Sequence, residues 1–130
     1  MVGAMQVGTR QCSEQIFEKA GWVYLGIVSG NNYLTIWSDR TTTQYMMRRS
    51  DLNAVIQNPG VSRTVRRDTG SASGGAFLSG NARLSTSRMA LNITIGEPIY
   101  TVPMKSLNRV LAGANRKAPL FVPVERVTYI

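Results

Sequence analysis

The sequence predicts an α+β fold: an antiparallel sheet built from two copies of a strand–turn–strand–helix module in a pseudo-two-fold arrangement, with both helices on one side. Three observations predict it. Apolar residues alternate with polar or aromatic ones in several short runs, the mark of half-buried strands. Two later runs instead space apolar residues at i, i+3 and i+4, the mark of an amphipathic helix. Those two runs and the residues before them also align with each other without a gap. The chain has 130 residues, 43% hydrophobic and 17% charged, which fits one domain with one core.

Taken in order, Ser13 to Gly21 offers a cap residue, early acidic side chains, the apolar pair Ile16 and Phe17, and a terminal glycine, and predicts a short helix. From Trp22 to Val28 the residues Val23, Leu25 and Ile27 share one face, and Trp22, Tyr24 and Gly26 the other. Ser29-Gly30-Asn31-Asn32 is turn chemistry, so Tyr33 to Ser38 folds back as a hairpin partner, with Leu34 and Ile36 opposite Tyr33, Thr35 and Trp37. After Asp39-Arg40 comes a third β-prone run, Thr41 to Met47, then Arg48 and Arg49. A helix follows, with Ser50 or Asp51 as its expected cap and Leu52, Val55 and Ile56 as its apolar stripe. These elements make up module 1, about 22–58.

Asn58-Pro59-Gly60 ends that helix, and residues of about 59–75, with Arg63, Arg66 and Arg67 followed by serines and glycines, read as a basic linker or arm. Module 2 covers about 76–113. Its expected parts are a hairpin turning at Ser79-Gly80-Asn81, an alternating strand with Leu91, Ile93 and Ile95, a turn at Gly96-Glu97-Pro98, the strand Ile99 to Pro103, and a helix with the stripe Leu107, Val110 and Leu111. The segment 118–130 is extended and apolar, and Pro123 suits an edge strand or an arm on a neighbour.

The repeat aligns Tyr45 to Ile56 with Tyr100 to Leu111, matching Tyr45 with Tyr100, Leu52 with Leu107, Asn53 with Asn108, and Val55 with Val110. In each copy an alternating strand and a polar turn come first. Such modules leave one sheet face without a helical cover. On that face the first copy places Trp22, Tyr24, Tyr33, Thr35 and Trp37, and the second Arg83, Arg88, Asn92 and Thr94.

Charge gives that face a chemistry. Fifteen Lys and Arg against seven Asp and Glu leave a net charge of +8, most of it from arginine. A guanidinium is permanently charged, grips a phosphate through two hydrogen bonds and stacks on a base. The expected partner is therefore nucleic acid, single-stranded favoured. The expected contacts are Trp22, Tyr24, Tyr33 and Trp37 for stacking, and Arg40, Arg48, Arg49, Arg63, Arg66, Arg67, Arg83 and Arg88 for phosphates. Two alternatives stay open: an oligomeric structural module whose aromatic face is a subunit interface, and a duplex-DNA architectural protein using the arm at Arg63 to Arg67 in a groove.

Over Leu34 to Ile56 and Leu91 to Leu111, the strand–turn–strand–helix order resembles the Whirly and Pur-alpha families and the positive-cofactor type of coactivator domain. The resemblance is architectural, with no family motif matched residue by residue. It implies a curved antiparallel sheet that holds a single strand of DNA or RNA across aromatic and basic side chains, with dimers or internal repeats completing the surface.

Catalysis is not expected. The chain has no histidine, the commonest general base and metal ligand. Of its seven carboxylates, Asp39, Asp51, Asp68, Glu97 and Glu125 are scattered among turns, caps and the linker. The single cysteine, Cys12, cannot form an internal disulfide or assemble a thiolate zinc site. No cofactor or metal is implied. The Met1 to Arg10 run lacks the pattern of a signal peptide, and no apolar stretch reaches the roughly 20 residues that span a bilayer. The expectation is a soluble, cytoplasmic homo-oligomer, nucleoid-associated or nuclear settings included, with no membrane partner.

Overall fold

The computed structural model of the chain describes residues 23–28, 32–38, 43–71, 78–114 and 120–129. The expected helix at Ser13 to Gly21 lies outside the described residues, as do Trp22 and Arg40. The alternating runs form strands β1 (Val23–Val28), β2 (Tyr33–Ser38) and β3 (Thr43–Arg48), and helix α1 (Arg49–Gln57) follows β3 without a break. Strands β4 (Arg63–Ser71), β5 (Leu78–Thr86), β6 (Ala90–Thr94) and β7 (Pro98–Pro103) come next, then helix α2 (Met104–Ala112), and finally β8 (Phe121–Pro123) and β9 (Arg126–Tyr129).

All nine strands belong to one sheet, ordered β8-β1-β2-β3-β4-β5-β6-β7-β9, and every pairing in it is antiparallel. Chain order and spatial order agree except at the ends, where β8 joins β1 and β9 joins β7. The two residues between β8 and β9 span the gap: Val124 N–H donates to Val23 O at 3.0 Å, and Glu125 N–H to Thr101 O at 2.9 Å. A nine-stranded sheet whose opposite edges are reached by two consecutive residues has curled into a half-barrel. Pro123 lies in β8, an edge strand, where its missing N–H costs no ladder bond.

The interior of that curve is apolar. Val23, Leu25 and Ile27 of β1 face Leu34 and Ile36 of β2, and Met47, Val65, Leu84, Leu91, Ile93 and Val102 extend the same surface across the sheet. Leu52 and Val55 of α1 and Leu107 and Val110 of α2 belong to this one core. Helix α1 packs on β2 to β5, and α2 packs on β6 and β7 and on β1 and β8, so α2 fills the space between the two ends of the sheet. Leu25, Leu34, Leu52, Leu84, Leu91 and Leu107 are fully buried, each worth about 1.5–3 kcal/mol in removed apolar surface. Tyr45 and Tyr100 also point inward, with ring centroids 6.5 Å apart.

Several local expectations are corrected. Residues 63–71 are not a linker: β4 is among the longest strands and pairs along its length with β3 and β5. Thr64, Val65 and Thr69 supply the β-branched residues, and Val65 is buried. Ser79-Gly80-Asn81 is not a turn, since β5 runs through it. Helix α1 starts at Arg49 with Arg48 in the cap position and no side-chain cap, so neither Ser50 nor Asp51 caps it. Its first N–H, from Arg49, instead donates to Asn32 O at 2.9 Å, and the carboxylate of Asp51 lies in the first turn, where the helix dipole favours it.

Candidate functional site

Alternation fixes which side chains turn away from the core. With Leu25, Leu34, Met47, Val65, Leu84, Ile93, Val102 and Val127 on the inner side, the outer side of the sheet carries their immediate neighbours along each strand. This outer face has two unlike halves.

Over β8, β1 and β2 it is aromatic, and it is closed. Tyr24 is 0% exposed, Trp37 4% and Phe121 5%, and the three form their own cluster. The rings of Tyr24 and Trp37 lie 5.3 Å apart at a tilt of 32°. Beneath them Thr35 is also buried; its hydroxyl donates to Tyr45 O at 2.9 Å and accepts from Gln44 Nε2 at 3.1 Å. The expected open stacking platform is therefore corrected: Tyr24 and Trp37 sit on the expected face, but neither presents a ring to solvent. Phe121 of β8 fills the space over Gly26 and completes the cluster. Of the four aromatic residues expected to stack, Tyr33 alone keeps partial exposure among the described residues.

Over β3 to β7 and β9 the outer face is polar and basic. Arg48 of β3 lies opposite Tyr33 of β2. Next to them Arg66 donates from Nε to Asp68 Oδ1 at 3.2 Å and from its terminal nitrogen to Ser79 Oγ at 3.1 Å, while the Ser79 hydroxyl donates to Asp68 at 3.2 Å. Tyr33, Met46, Arg48, Arg66 and Asp68 line a small depression there.

A second depression, about 340 Å³, lies over β5, β6, β7 and β9. The register explains its lining. One row across the strands runs Ser85, Asn92, Thr101, Arg126; the next runs Arg83, Thr94, Ile99, Thr128. Thr101 donates its hydroxyl proton to Asn92 Oδ1 at 2.9 Å. Arg83 and Arg126 are exposed and have no carboxylate partner among the described residues.

The expected arginines thus separate. Arg48, Arg66 and Arg83 share the outer face, and Arg88 is exposed in the turn between β5 and β6. Arg63 and Arg67 have the opposite parity, which corrects their assignment to a free arm. Arg63 pairs with Asp51 of α1 at 3.1 Å. Arg67 donates to Asn81 O at 3.1 Å and holds its guanidinium 5.5 Å from the centre of the Tyr45 ring. Arg49 bonds Asn53 one helical turn on, at 3.0 Å. Arg126, Thr101 and Thr128 were not among the expected site residues. Their signal was present in the alternations Arg126-Val127-Thr128 and Tyr100-Thr101-Val102, where Val127, Tyr100 and Val102 turn to the core and so send their neighbours outward.

Among the described strand residues on this outer face there are four arginines, Arg48, Arg66, Arg83 and Arg126, and one carboxylate, Asp68. The surface concentrates permanent positive charge and hydroxyl and amide groups, so it suits an extended anionic ligand. Among the described residues no group of three or more His, Cys, Asp or Glu could hold a metal ion, and no helix is long and apolar enough to cross a membrane. Comparison of the chain with protein families, with curated proteins and with solved structures finds no match.

Proposed function

We propose that the protein is a non-enzymatic nucleic-acid-binding protein that favours single strands and holds them on the outer face of its sheet. The observation that carries this is the charge balance of that face: four arginines against one carboxylate among the described strand residues. Guanidiniums held at the spacing of neighbouring strands neutralise successive phosphates and release the counterions condensed on them. In this reading β2-β3-α1 and β6-β7-α2 are two copies of one module, as in the Whirly and Pur-alpha arrangement, with the helices behind the sheet and the ligand in front. The close approach of Tyr45 and Tyr100, which align in the two copies, supports it.

The test is fluorescence anisotropy with labelled single-stranded DNA, single-stranded RNA and duplex DNA over a range of salt. Binding is expected to weaken steeply with salt and to favour the single strands. Absence of association with all three at low salt rejects the proposal, and a preference for duplex favours an architectural role instead.

A further inference from the structure

We infer that the ligand's sugar–phosphate backbone, rather than its bases, lies against the sheet, crossing β5, β6, β7 and β9 between Arg83 and Arg126; this rests on the nucleic-acid reading above. The donor inventory of the surface points to it. Arg83 and Arg126 offer only N–H donors, and a guanidinium has no acceptor. Asn92 has both kinds of group, and one of the two lone pairs of its carbonyl oxygen is taken by the Thr101 hydroxyl at 2.9 Å. For a ligand Asn92 keeps the two N–H donors of its amide against one remaining lone pair. The hydroxyls of Ser85, Thr94 and Thr128 line the same depression and can donate as well. A tract in which all of these groups can donate, two of them are permanent cations and none is a carboxylate matches a group that only accepts, and a phosphodiester is such a group at every repeat. Base edges mix donors and acceptors and match it less well.

Ring geometry leads to the same place. Among the described side chains of β5, β6, β7 and β9 the aromatic one, Tyr100, points into the core. Of the rings expected to stack on bases, Tyr24 and Trp37 are buried elsewhere on the sheet, and the partly exposed Tyr33 lies on β2, outside this tract. Spacing also suits the proposal. From β5 to β9 there are three strand steps, about 14 Å at the usual separation of roughly 4.8 Å, which is room for a few backbone repeats. Bases then point away from the sheet, so binding is indifferent to sequence.

The experiment compares the full chain's affinity for a labelled oligothymidylate and for an abasic oligomer of the same length. The two dissociation constants are expected to agree within about threefold. The combined variant Arg83→Ala/Arg126→Ala is expected to weaken both at least tenfold and to flatten the log–log salt slope by about 1.4, two phosphate contacts at ~0.7 each. Asn92→Asp, nearly isosteric but turning the free donors into acceptors, is expected to weaken both several-fold with unchanged thermal unfolding. Loss of affinity on removing the bases overturns the inference, as does undiminished binding by the double variant. Failure of the unmodified protein to bind either oligomer overturns the nucleic-acid reading itself, which separates the two outcomes.

Discussion

Phe121 occupies the space that a side chain at position 26 would need: a Cβ built on Gly26 would lie 2.7 Å from Phe121 Cδ1 and 2.8 Å from its Cε1. The two residues are direct partners across β1 and β8, so the missing side chain of one admits the ring of the other. Gly26→Ala is expected to destabilise the protein by about 1–3 kcal/mol, the usual range for overpacking. Urea unfolding of a double-mutant cycle with Phe121→Leu checks the cause. The two effects should fall short of adding, because the smaller side chain relieves the clash; strict additivity would rule out this contact as the source.

The burial of Trp37 has a spectroscopic consequence. The sequence holds two tryptophans, so a Trp22→Phe variant reports on Trp37 alone. Its emission should be blue-shifted, resistant to quenching by iodide and unchanged by a saturating oligonucleotide, since Trp37 is 4% exposed. Strong quenching by the oligonucleotide would mean that the aromatic cluster opens to the ligand.

A buried hydroxyl ties α1 to the sheet: Thr86 Oγ1 donates to Val55 O at 2.8 Å, near the helix C-terminus. Thr86→Val keeps the shape and removes the donor. A loss of about 1 kcal/mol is expected, typical of one net hydrogen bond, with amide exchange accelerated in the last turn of α1. An unchanged midpoint of thermal unfolding would contradict this role.

Asp68 is the carboxylate that opposes the basic outer face, and it holds Arg66 at 3.2 Å. Asp68→Asn removes a negative charge and leaves Arg66 free to meet a phosphate. Affinity for single strands should rise several-fold at low salt, with the log–log salt slope steeper by up to about 0.7. Arg63→Ala is the matching control, because Arg63 is paired with Asp51 on the inner side. It should cost under about 1 kcal/mol of stability and leave affinity nearly unchanged, as measured by anisotropy.

Much of the fold was legible because its signal is local. The alternation in Val23 to Val28 and Tyr33 to Trp37 assigned inner and outer faces that the structure keeps. The i, i+3 spacing of Leu52 and Val55, and of Leu107 and Val110, marked the helical residues that are buried. What covers a face is a tertiary fact that alternation does not encode. Nothing in Tyr24 or Trp37 announces that Phe121, far along the chain, completes their cluster. Strand β4 was obscured by its composition, since Arg63, Arg66, Arg67 and Asp68 hide the single apolar anchor Val65. Gly80 suggested a turn, yet it lies within β5 directly opposite Arg67, whose guanidinium extends over it.

The bridge made by Val124 and Glu125 between the two sides of the sheet also sets an order of events. Strands β1 to β7 each pair with the next strand in the chain, with α1 intervening between β3 and β4, but β8 must find β1 across nearly the whole described chain. Such a pairing carries high contact order and a large loop-closure entropy, so it is expected late. During synthesis the core under α2 therefore stays open on one side until β8 and β9 have left the ribosome. Completion of the sheet is a step that follows translation of these last strands, and Arg126 joins the outer face only with it.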